Sequence, residues 1–153
     1  MICRMMTARL SAACGGALNL RARRFQPILG GDHRLCVSFE GNENEHLYGM
    51  GQYQMETLDI QNCTFELAQR NSQASVPFVM SSRGYGFLWH NPAIGEAHFG
   101  SNRSEWKAVS TRQMDYWITA GDSPAELSLA YAKATGFAPM LPDTESYGKE
   151  MIP

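Results

Sequence analysis

Two short apolar runs around a polar turn dominate the middle of the chain. Residues 76–81 are β-branched and aromatic, residues 85–89 are rich in aromatics, and Ser82, Arg83 and Gly84 lie between them. Each run is strand length and too short for a good helix, so the pattern predicts a β-hairpin. Gly84 supplies the positive φ that a tight reversal needs. Pro77 has no N–H to donate and is expected at the strand's entrance or on an edge. Asn91-Pro92 stops the second strand.

Period-two alternation recurs on both sides of this hairpin. Leu35, Val37 and Phe39 alternate with Cys36 and Ser38 up to Glu40, after a turn at Gly30-Gly31-Asp32. Phe65 and Leu67 alternate with polar neighbours within 64–71, another half-buried strand. A short strand is predicted at Leu58-Asp59-Ile60, and three more at 97–100, 105–109 and 114–119. Residues 41–45 read as a polar loop. Gly49 and Gly51 flank Met50, which suits a bend where backbones approach closely. The grammar is all-β and antiparallel.

The period changes at Ser123. Ser123 and Glu126 form a capping box with Pro124 at the first helical position. Leu127, Leu129, Ala130, Ala132 and Ala134 continue a helix that ends at Thr135-Gly136. Pro139 and Pro142 give an extended exit, and 143–153 is a polar tail.

Several of these stretches carry a resemblance. Residues 48–52, 66–71, 77–86, 115–121 and 123–126, with the run from Tyr131 to Pro142, resemble the N-terminal β-sandwich domain of glycoside hydrolase family 31. The resemblance spans 34–142 and is closer to bacterial α-xylosidases than to animal disaccharidases, within a family that also holds α-glucosidases. It implies an all-β galactose-mutarotase-like sandwich at 25–122. It also implies a helix at 123–136 leading toward a (β/α)8 barrel. Residues 1–24 form an ill-defined N-terminal segment, and 143–153 does not resemble the apolar first barrel strand. A carbohydrate, an α-linked xyloside or glucoside, and the catalytic barrel are the implied partners; no cofactor is implied.

Length sharpens this expectation. A barrel takes roughly 250 residues, more than the 153 present. The chain is therefore expected to hold no barrel and to be inactive alone. Composition is that of an ordinary soluble domain, with 44% hydrophobic and 18% charged residues. A net charge of −2 argues against nucleic acid or an acidic membrane as partner. No apolar run approaches the ~20 residues of a transmembrane helix. Arg4 and Arg9 interrupt any apolar core of a secretory signal at 1–16. That acid-free start resembles a transit peptide; a reading frame truncated upstream gives the same pattern and is preferred. The compartment stays open. Arg21, Arg23 and Arg24 form a small basic cluster, read as a solvated face rather than a polyanion site.

Glycoside hydrolysis with retention needs two carboxyl groups about 5–5.5 Å apart. Glu40, Glu43, Glu45, Glu56, Asp59, Glu66 and Asp115 are present, but none is singled out by spacing, and solvated loop or strand-face carboxylates explain each. The resemblance places the catalytic aspartates in the barrel, so no catalytic residue is assigned. It points instead to Arg70 and Asn71, on a loop that in family members leans over the barrel mouth and lines the sugar pocket. Many α-glucosidases have Arg-Asp there; Asn71 keeps donor and acceptor but loses the charge. A polar loop that only turns the chain is the competing reading. Gln69 and Gln73 are weaker companions.

Other candidates are weaker. Tyr85, Phe87 and Trp89 share one strand face and, with Trp106 and Trp117, read as core or as a sugar-stacking platform, core being favoured. A stand-alone carbohydrate-binding module is the alternative function, and a sugar epimerase rests on fold analogy alone. His33, His46, His90 and His98 lack metal-ligand spacing, and Cys3, Cys14, Cys36 and Cys63 form no C-x-x-C pair. Cys36 and Cys63 read as small buried hydrophobes. Asn62 and Asn102 open glycosylation sequons. There is no Walker A motif, G-x-G-x-x-G, G-x-S-x-G or H-E-x-x-H.

Overall fold

The computed structural model describes residues 22–42 and 44–140. The expectations for 1–21, for Glu43 and for 141–153 lie outside the described residues.

Among the described residues, alternation produces two antiparallel sheets. The first takes β1 (Arg23–Pro27), β2 (His33–Glu40), β4 (Thr64–Leu67), β7 (Gly95–Phe99) and β8 (Arg103–Thr111), in the order β1-β2-β8-β7-β4. The second takes β3 (Leu47–Gln52), β5 (Ala74–Ser81), β6 (Tyr85–Trp89) and β9 (Tyr116–Ala120), in the order β3-β5-β6-β9. The apolar positions of β2, Leu35 and Val37, are fully buried between the sheets, while β1 with Arg23 and Arg24 is exposed along its length. The described part of the basic cluster, Arg23 and Arg24, thus lies on a solvated strand.

Aromatic side chains fill the space between the sheets. The Trp106 ring lies 5.2 Å from Phe87, 5.5 Å from Phe99 and 5.9 Å from Trp89. Such pairs add about 0.5–1.5 kcal/mol each beyond the burial of their area. The single helix described, α1 (Pro124–Thr135), covers the outer face of the second sheet. There Leu127 is buried and Tyr131 stacks on Phe78 at 4.5 Å. The Ser123 hydroxyl accepts from Glu126 N at 3.3 Å, and the Glu126 carboxylate reaches Asp122 N at 2.9 Å. The capping box therefore closes one residue earlier than the sequence pattern suggests. No helix among the described residues is long and apolar enough to cross a membrane.

The β5–β6 hairpin forms as the pattern predicts, with Ser81 paired to Tyr85 and Gly84 at φ 81°. Pro77 departs from expectation. It lies inside β5, a strand with neighbours on both sides. The ladder to β3 is interrupted there, between Gly49 and Gly51, and the ladder to β6 begins only at Phe78. A bulge thus removes the donor requirement that an interior strand normally imposes on proline.

The register places the extra residues on β5, where Val76, Pro77 and Phe78 face the Gly49-Met50-Gly51 bend of β3. All three residues of the bend have positive φ, 116°, 73° and 95°. A Cβ at Gly49 would stand 2.6 Å from Phe78 O, and one at Gly51 2.2 Å from Ala74 O. Met50 accepts the strained conformation with its side chain fully buried.

Two strand expectations are corrected. Leu58-Asp59-Ile60 is not a strand: Asp59 Oδ1 accepts from Leu47 N and Gln61 N, both at 3.1 Å, and diverts the backbone into a turn. Ile60 is buried there and Leu58 exposed. The strand expected through 64–71 ends at Leu67: beyond it Ala68 O accepts from the Gln73 side chain, and the Arg70 backbone turns back to pair with that of Gln73.

Candidate functional site

The segment between β4 and β5 carries the two residues singled out in the sequence. An isolated bridge pairs Arg70 with Gln73, leaving Asn71 and Ser72 at the tip of a tight turn. The bridging bonds are long, 3.4 and 3.2 Å, so the turn needs other support. Two glutamines give it. The Gln69 carboxamide donates to Ser75 O at 2.7 Å and accepts from Ser75 N at 3.0 Å, replacing a strand partner. Gln73 Nε2 donates to Ala68 O at 2.9 Å. The Tyr53 hydroxyl lies 2.8 Å from Glu66 O and 2.7 Å from Ser75 Oγ, bridging the two limbs. Burial pushes the Tyr53 phenol above its ordinary pKa.

Arg70 and Asn71 are both exposed. Arg70 Nε and Nη2 donate to the Glu66 carboxylate at 2.8 and 2.5 Å, a bidentate pair. The Arg70 hydrogen bond holds the Glu66 carboxyl below its usual range, and Glu66 in turn raises Arg70. The tip thus presents a planar cation and a carboxamide, donors and an acceptor of the kind that hydroxyl groups bind.

The other candidates resolve into structure. Phe87, Trp89 and Trp106 are buried in the core, and Trp117 tilts against Phe78 beneath the helix. Tyr85, Phe87 and Trp89 therefore serve the core and offer no open stacking platform. His46 pairs with Asp59 at 2.6 Å and His90 with Asp115 at 2.9 Å, each joining two loops. Burial raises the Asp59 pKa, but hydrogen bonds from His46, Gln61 N and Leu47 N outweigh it and the net direction is down. His98 Nδ1 lies 2.8 Å from Thr64 Oγ1. Among the described residues no three His, Cys, Asp or Glu side chains gather as a metal site requires. Cys36 and Cys63 are free thiols, half-buried rather than buried as their sequence context suggested.

Glu40 and Glu56 are exposed carboxylates, in keeping with their sequence reading. Glu45 is not. It is buried and held by Asn42 at 2.9 Å, Ser81 at 2.5 Å and Tyr85 at 2.6 Å. Its loop setting hid this, since the donors lie three to forty positions away.

No protein-family model matches the chain. Over 127 residues it is 60% identical to an uncharacterized family 31 glucosidase of Pseudescherichia vulneris, covering 83% of this chain and 24% of that protein. Over 113 residues it is 34% identical to an α-xylosidase of Saccharolobus solfataricus, covering 68% of this chain and 16% of that one. Its fold matches a solved structure, the family 31 α-xylosidase from a soil metagenome complexed with xylose. The TM-score there is 0.78 and the identity 60%, over 81% of this chain and 18% of the other. The chain thus spans a quarter or less of the length of these relatives. Fold and likeness together define a galactose-mutarotase-like β-sandwich domain. The chain belongs to glycoside hydrolase family 31 and corresponds to the N-terminal β-sandwich of its enzymes.

Proposed function

We propose that this chain acts as the N-terminal domain of a retaining α-glycosidase of α-xylosidase type. In this role the sandwich at 25–122 supports the catalytic barrel, and the helix leads the chain toward it. The loop at 69–73 contributes Arg70 and Asn71 to the binding of an α-linked xyloside or glucoside. The observation that carries the reading is the exposed Arg70-Asn71 tip, tied in place on a sandwich 60% identical to an α-xylosidase described in complex with xylose.

The chemistry divides accordingly. Cleavage with retention needs a nucleophile and an acid/base carboxyl group, which this reading assigns to the barrel. The residues here bind and orient. Arg70 and Asn71 donate to sugar hydroxyls, and holding the sugar in register with the barrel's carboxyl groups is where such contacts affect rate. The alternative, a stand-alone binding module built on an aromatic platform, is disfavoured by the burial of Phe87, Trp89 and Trp106.

A chimera tests the reading. Residues 34–142 replace the matching segment of the soil-metagenome α-xylosidase, and kcat/KM is measured with p-nitrophenyl α-D-xylopyranoside and α-D-glucopyranoside. The expected result is hydrolysis with a preference for the xyloside, and a roughly tenfold loss of kcat/KM in Asn71→Ala, the worth of one hydrogen bond. A folded chimera with no activity, or one indifferent to Asn71→Ala, would overturn the proposal.

A further inference from the structure

The loop at 69–73 crosses from one sheet to the other, and both of its limbs are anchored before the tip is reached. On the first limb Glu66 pairs with Glu96 of β7, and its carbonyl accepts the Tyr53 hydroxyl at 2.8 Å. On the second, Ser75 is gripped by the Gln69 carboxamide and paired with Gly51 at the bulge. The carboxylate of Glu66 then reaches past the strand end to the Arg70 guanidinium at 2.8 and 2.5 Å. This bidentate contact uses two of the five guanidinium donors and leaves the others outward.

From this geometry we infer that Glu66 is a positioning residue: it fixes the Arg70 guanidinium, and with it the Asn71 tip, before any sugar or barrel is present. The inference rests on the proposed sugar-facing role of the loop. An arginine side chain loses considerable rotamer freedom when it is immobilised by a ligand; one already held by Glu66 loses less on binding. The pair is exposed, with side chains 59% and 48% accessible. Its contribution to global stability is accordingly small, and its effect is local.

That contrast makes the inference testable on the full chain, 15N-labelled, by NMR relaxation. In the wild type the backbone of 69–73 should show order parameters near 0.85, the rigid range, and the Arg70 Nε–H resonance should be observable at neutral pH. Glu66→Gln should lower the order at Asn71 and Ser72 below about 0.6 and remove the Arg70 signal, with the melting temperature unchanged. The charge-exchanged double variant, Glu66→Arg with Arg70→Glu, should restore the order. A wild-type loop already mobile, or order indifferent to Glu66→Gln, would overturn the inference. In the chimera, Glu66→Gln should raise KM about tenfold and leave kcat unchanged. If the loop order depends on Glu66 while the chimera ignores Asn71→Ala, the positioning stands and the sugar-binding reading fails; the two failures are distinct.

Discussion

The Tyr85 phenol donates to Glu45 Oε1 at 2.6 Å, on the oxygen that also accepts the Ser81 hydroxyl at 2.5 Å. Asn42 donates to the other oxygen at 2.9 Å. These bonds compensate a carboxylate taken out of water, and they tie the loop before β3 to the β5–β6 hairpin. Tyr85→Phe removes one donor and leaves that oxygen less satisfied. Urea unfolding at pH 7 should show a loss of about 1.5–3 kcal/mol, the range for hydrogen bonds to charged groups.

The same pair predicts an alkaline effect. Burial first, then the hydrogen bond to Glu45, raises the Tyr85 pKa above its ordinary value. A group whose folded pKa is raised contributes stability that is complete below its unfolded pKa, about 10 for tyrosine, and lost as pH climbs toward the folded value. The stability gap between wild type and Tyr85→Phe should stay flat from neutral pH to about 10 and narrow above it. A gap that stays constant to higher pH would show that the phenol is not held protonated by the fold.

Gly51 and Gly30 separate two costs of positive φ. Both are left-handed, at 95° and 100°. A Cβ at Gly51 would stand 2.2 Å from Ala74 O, whereas nothing lies within 4 Å at Gly30. Gly30→Ala should cost about 1–2 kcal/mol, the conformational penalty alone. Gly51→Ala adds a backbone collision that no rotamer relieves, and it should cost well beyond that. Equal midpoint shifts in denaturant would refute the distinction.

Much of the fold was legible because each face of each strand has one fate. Phe65 and Leu67, and Leu35 and Val37, alternate as half-buried strands do and are buried, while the continuous apolar run at 86–89 is buried on both faces. Ser123-Pro124 announced the helix for an equally local reason. What failed was set by contacts distant in sequence. Asp59 turns a strand-like triplet into a loop by accepting from Leu47, and Pro77 is tolerated because its ladder breaks opposite Met50, on a different strand. The candidate site divides the same way. Arg70 and Asn71 came from resemblance, whereas Tyr53, Glu66, Gln69 and Gln73 hold them through side-chain bonds that leave no periodic trace. Glu45 read as solvated for the same reason.

The helix docks on the sheet through few contacts, and Leu127 is its one buried residue. Leu127→Ala should therefore cost about 2–5 kcal/mol and act on the helix before the sandwich. Hydrogen exchange should accelerate at 127–135 with the β8 amides still protected. Uniform acceleration across both would show that the helix and sandwich unfold as one unit.

Asn71 offers the sharpest test of sugar recognition. Its carboxamide both donates and accepts, while a carboxylate only accepts and adds a charge beside Arg70. In Asn71→Asp the new carboxylate competes with Glu66 for the guanidinium, and any hydroxyl that accepted from the amide loses its donor. In the chimera, kcat/KM for the α-xyloside should fall about tenfold, near 1.4 kcal/mol, the worth of one hydrogen bond. The α-glucoside should lose less, since Arg-Asp at this position is the pattern of many α-glucosidases that the chain resembles. Selectivity would then move toward glucose. A ratio of the two kcat/KM values that is the same in Asn71→Asp as in the parent would place Asn71 away from the sugar.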